Sequence, residues 1–147
     1  MSFTALLENN LLVDRCTVFK WFNYEFKHDK KDKFCITLNC KLNEFPINLI
    51  LTTSRYDKHY YKQEKNMIDC VVIEKGESKY FNVEKTIIDL KNIFIMEEDK
   101  MMEAFEDEFL VLCGKLEEHL VTRLEKAIEN SELLEPYKIK KLLCKDR

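Results

Sequence analysis

KFCITLNCKLNEFPINLILTTS, residues 33–54, is two extended apolar runs joined by a short polar turn. The first run, Phe34–Leu38, and the second, Ile47–Thr53, are apolar or β-branched nearly throughout. Both are too short and too β-rich for helices. Cys40–Pro46 between them has turn composition, and Pro46 sits at a strand mouth, where a missing N–H matters least. The pattern predicts an antiparallel hairpin at the heart of a small β-barrel. Its second strand runs into Thr52-Thr53-Ser54-Arg55, hydroxyls followed by a cation, which marks the place where chemistry is expected.

Upstream of the hairpin, Ser2 is a cap for a short helix over Phe3–Asn10. Arg15–Phe22, rich in aromatic and β-branched residues, reads as the first strand. His28–Lys33 reads as a charged loop. Downstream, Arg55–Asn66 is a long polar stretch and Met67–Ile73 a fourth strand. A turn at Gly76 leads into Ser78–Val83, and Thr86–Leu90 with Ile93–Met96 supply one or two more strands. These short strands predict a barrel over residues 14–96.

From Glu97 the period changes. Met101, Met102, Phe105 and Phe109 fall at helical spacing, with acids favourable in the first turn. Gly114 breaks the run. Leu116, Leu120, Val121, Leu124, Ala127 and Ile128 then mark one face of an amphipathic helix, and Ser131 restarts a last one. The expected organisation is one α+β domain over residues 1–147: a barrel (14–96) with a helical C-terminal extension (97–147).

The totals bound the function. At 147 residues, 46% hydrophobic and 12% aromatic, the chain is long enough for one real core. No apolar run approaches the roughly 20 residues that span a bilayer, and the N-terminus lacks the basic start of a signal peptide. A cytoplasmic protein without membrane association is the expectation. The six cysteines are 16, 35, 40, 70, 113 and 144. They form no C-x-x-C pair and none stands beside a histidine, so reduced thiols and no metal site are expected. The net charge of −3 is segregated, with an acidic run at 97–108 and a basic one at 138–147. Two glycines leave no room for a glycine-rich phosphate loop.

The order of elements around the hairpin resembles the MazF/PemK toxin family, which cleaves single-stranded RNA and has a small SH3-like barrel of the MazF/PemK/CcdB-like fold. Asp32-Lys33-Phe34-Cys35-Ile36-Thr37-Leu38-Asn39 stands where that family has an arginine-proline strand. Ile50-Leu51-Thr52-Thr53-Ser54 stands for its threonine strand, and FNVEKTIIDL (81–90) resembles its terminal strands. The resemblance covers about residues 14–96. It departs at the catalytic arginine, which falls on Lys33, and at the proline, which falls on Phe34. Lysine holds a phosphate as a point charge without the guanidinium fork.

The resemblance implies an endoribonuclease of a toxin–antitoxin system that needs no metal or cofactor. Its expected partners are single-stranded RNA and an antitoxin protein, and its expected assembly a homodimer. The alternative is a non-catalytic PemK-like barrel serving as a protein- or RNA-binding module. Cleavage by the ribose 2′-OH needs a base, an acid, and positive charge for the phosphorane. Lys33 and Arg55 are the candidates for charge, Thr53 for a hydrogen bond, and His28 or His59 for proton transfer. For RNA binding, Tyr56, Lys58, His59, Tyr60 and Lys62 interleave rings on which bases stack with cations that hold phosphates. Each residue also has a bland reading: a solvated lysine, a turn-capping threonine, an idle loop histidine.

Overall fold

Runs of β-branched and aromatic residues make strands because their branched side chains fit a pleated, half-buried surface. A computed structural model describes residues 15–26, 29–39 and 46–144. Six strands are present among them: β1 (Thr17–Phe26), β2 (Asp29–Thr37), β3 (Ile47–Thr53), β4 (Cys70–Glu74), β5 (Lys85–Met96) and β6 (Leu110–Lys115). Four α-helices accompany them: α1 (Glu64–Met67), α2 (Glu98–Glu106), α3 (Glu118–Glu129) and α4 (Pro136–Leu142). The strands form one antiparallel sheet in the order β4-β5-β3-β2-β1-β6, not closed into a barrel. That order has two ends, whereas a closed barrel needs a ring of pairings.

The expected α+β class and the central hairpin hold. β2 pairs antiparallel with β3 through Cys35↔Leu51, Ile36↔Ile50 and Thr37↔Leu49. β3 is buried along almost its whole length, which is why it reads as a near-continuous apolar run. Its one amide is satisfied: Asn39 Oδ1 accepts from the Asn48 N–H (2.6 Å) and from Asn48 Nδ2 (3.1 Å).

Four readings change. Strand β2 begins at Asp29, so most of the charged His28–Lys33 stretch is strand and not loop. Ser78–Val83 forms no strand; of the one or two strands expected after it, the structure has one, Lys85–Met96. The fourth strand starts later than expected, at Cys70, because Glu64–Met67 is helical. Beyond α2 the chain returns to strand: Glu108 takes φ 63°, ending the helix, and β6 follows, paired with β1. Gly114 sits in β6 at φ 151°, beside a register shift between Val18 and Phe19, a conformation that glycine adopts without a Cβ clash. The helix expected over Phe3–Asn10, the turn residues 40–45 and His28 lie outside the described residues.

The chain divides into two compact units, 1–51 with 94–115, and 52–93 with 116–147. In the first, Phe19, Cys35, Ile47, Leu49, Leu51, Met101, Ala104 and Leu110 form the core, with Trp21, Phe94 and Phe105 packed against it. In the second, β4 and β5 pair from Cys70↔Asp89 to Glu74↔Lys85. Helix α3 lies against β4 and buries Leu120, Leu124 and Ile128, three residues at the predicted i, i+4, i+8 spacing. Among the described residues no helix is long and apolar enough to cross a membrane. Cys35, Cys70 and Cys113 carry reduced thiols, whereas Cys144 is disulfide-bonded, which corrects the expectation of reduced cysteines throughout.

Candidate nucleic-acid interface

The polar stretch after β3 is a succession of tight turns. The Arg55 carbonyl accepts from the Lys58 N–H (3.1 Å), Lys58 from Tyr61 (3.0 Å), and Gln63 from Asn66 (3.0 Å). Asn66 Nδ2 donates back to the Tyr60 carbonyl at 2.9 Å. Backbone groups that a loop would leave to water are thus paired locally; Arg55, Asp57, Lys58, His59 and Lys62 are exposed, and Tyr56, Tyr60 and Tyr61 are half-buried. Residues 59–62 form one 3₁₀ turn.

The predicted catalytic residues divide between the units. Lys33, half-buried, lies on β2 opposite Trp21 of β1, in the first unit. Thr53 and Arg55 lie in the second. Thr53 Oγ1 accepts the Arg55 N–H at 3.1 Å, the turn-capping arrangement of a strand-end threonine. The Arg55 guanidinium is exposed, with Nε 3.7 Å from the still more exposed Asp57 carboxylate. Such a solvated pair contributes about 0.2–1 kcal/mol, little enough for a phosphate to displace.

The predicted binding residues come together with partners that the loop sequence alone does not reveal. Tyr56 donates its hydroxyl to Glu84 Oε2 at 3.0 Å, and this bond raises the phenol pKa. Lys85 Nζ lies 5.6 Å from the Tyr56 ring centre. Tyr60 and Tyr61 meet edge to face at 5.1 Å. Lys91 Nζ stands 3.3 Å from the Tyr60 ring centre, a cation–π contact worth about 0.5–1 kcal/mol at an exposed site. Lys58, His59 and Lys62 are exposed.

Beneath this surface is the Asp89 carboxylate, fully buried. Its Oδ2 accepts the Tyr61 hydroxyl at 3.1 Å and lies 3.6 Å from Lys91 Nζ, while Oδ1 accepts the Lys91 N–H at 3.1 Å. Burial and then the Asp89 charge raise the Tyr61 phenol. The same causes push the neighbouring Cys70 thiol up to about 12, so it stays protonated and is no nucleophile at neutral pH. Asp89, Lys85 and Lys91 escaped the reading of the loop because they lie on β5, some thirty residues on. Their sequence signal is charge at positions 85, 89 and 91, which share one face of a mostly apolar strand. Among the described residues no three histidine, cysteine or carboxylate side chains are grouped to hold a metal ion.

No protein-family model matches the chain, and neither does any curated protein or solved structure.

Proposed function

We propose that this protein binds single-stranded RNA through residues 55–62 and the β5 lysines, as a binding module resembling the MazF/PemK barrels. The observation that carries the reading is Lys85 and Lys91 set over Tyr56 and Tyr60, beside exposed Arg55, Lys58 and Lys62. Bases stack on rings whatever their sequence, and the cations neutralise successive phosphates. The finer fold reading, an SH3-like sheet with added helices, belongs to the same proposal, as do an antitoxin partner and a homodimer. The test is fluorescence anisotropy of a labelled single-stranded RNA against salt. Lys58→Ala and Lys62→Ala should each weaken binding and reduce the salt slope by about 0.7. An RNA affinity indifferent to both, or no affinity at all, refutes the proposal.

Cleavage is the second reading, favoured by the weakly paired Arg55 guanidinium two residues after Thr53, whose hydroxyl accepts the Arg55 N–H. In that chemistry Arg55 stabilises the phosphorane and Thr53 donates a hydrogen bond to it. Single-turnover cleavage in EDTA should then fall about 100-fold in Arg55→Ala, as on losing one oxyanion donor. Wild-type protein that binds RNA but leaves it intact restricts the function to binding.

A further inference from the structure

A shallow groove of about 340 Å³ lies within the second unit, between the 90–93 segment of β5 and residues 133–138. Polar bonds tie down the 131–134 segment on its far side. The Asp69 carboxylate, nearly buried, accepts the Ser131 hydroxyl and the Glu132 N–H (3.2 Å). Ser131 Oγ in turn accepts the N–H groups of Leu133 and Leu134, each at 3.1 Å. Pro136, at the first turn of α4, sets the backbone just before Tyr137. This tied segment keeps two large side chains in solvent: Leu133 is 55% exposed and Tyr137 is 68% exposed. The rim carries Lys91 and Lys138 against the single acid Glu135.

We infer that this groove receives one base of the bound single strand, stacked on Tyr137, with Lys91 holding the phosphate that leads into it. The inference rests on the RNA reading above and extends its surface. Lys91 supplies the continuity, because it lines the groove and also stands over Tyr60. A strand lying across Tyr60 therefore meets the groove one cation further on. Lys91, partly exposed although it pairs with the buried Asp89 carboxylate, and Lys138 place two cations on the rim, which suits a phosphate better than an acidic lining would. The volume is at the low end of ligand clefts, about 300–1,000 Å³, which suits a single planar base.

The experiment is anisotropy with a fluorescein-labelled single-stranded RNA and the full chain. Tyr137→Ala should weaken binding about tenfold with the salt slope unchanged, because a stacking contact releases no counterions. Tyr137→Phe, which keeps the ring face, should bind like wild type. Lys91→Met should weaken binding and reduce the salt slope by about 0.7. Thermal melts of each variant check that the fold is kept. If Tyr137→Ala binds within about twofold of wild type, the groove takes no base and the inference is overturned. Equal losses in Tyr137→Ala and Tyr137→Phe also overturn the stacking role. A wild-type protein without RNA affinity removes the whole RNA reading, which separates that failure from failure of the groove alone.

Discussion

Replacing Asp89 by Asn keeps the size of a fully buried side chain and removes only its charge. The hydroxyl of Tyr61 then bonds to a neutral acceptor. A charge-assisted hydrogen bond is worth about 1.5–3 kcal/mol and a neutral one about 0.5–1.5, so this contact loses about 1 kcal/mol. The new amide NH₂ must also face either the Lys91 backbone N–H or the Lys91 ammonium, both donors to the present carboxylate. A buried donor left without an acceptor costs about 1–3 kcal/mol. The ammonium pair itself adds little, because the Lys91 side chain is 40% exposed and water replaces much of the interaction. The expected loss is about 2–4 kcal/mol, large against a typical domain stability of about 5–15. Urea unfolding measures it, and a double-mutant cycle with Tyr61→Phe should return a coupling of about 1 kcal/mol. A loss under about 0.5 kcal/mol, or strict additivity with Tyr61→Phe, would refute the role given to Asp89.

Leu124→Ala, at a fully buried position of α3, should cost about 2–5 kcal/mol in urea unfolding, and half-buried Val121→Ala should cost less. Glu108→Gly should stabilise the protein by up to about 1 kcal/mol, because Glu108 holds a left-handed φ of 63° just after α2; a lower melting temperature would count against that assignment. Hydrogen bonds from Arg123 hold the Glu77 carboxyl down at about 2. A depressed folded-state pKa stabilises above the ordinary carboxylate range and loses that effect as pH falls towards 2. The melting-temperature gap between wild type and Arg123→Gln should therefore close between pH 6 and about 2, and a gap constant with pH would dismiss the pair.

The sequence by itself determined the central hairpin and helix α3. In both, a buried face imposes a local period that the chain carries openly: continuous apolar residues over Ile47–Leu51, and Leu120, Leu124 and Ile128 at helical spacing. It also pointed to the Tyr56–Lys62 loop, since alternating rings and cations are a local pattern. Strand β6 was hidden for a physical reason. Phe109 continues the apolar spacing of α2, and only the left-handed turn at Glu108 and the pairing with β1 separate helix from strand. The openness of the sheet was equally non-local, because short strands read alike whether their outer members pair with each other or end the sheet. The candidate site completes the contrast. Its tyrosines are consecutive enough to be seen in the chain, but the cations above them and the buried carboxylate beneath arrive on β5. A hydrogen bond or cation–π contact between residues some thirty positions apart leaves no period in the sequence, and the tertiary structure alone decides it.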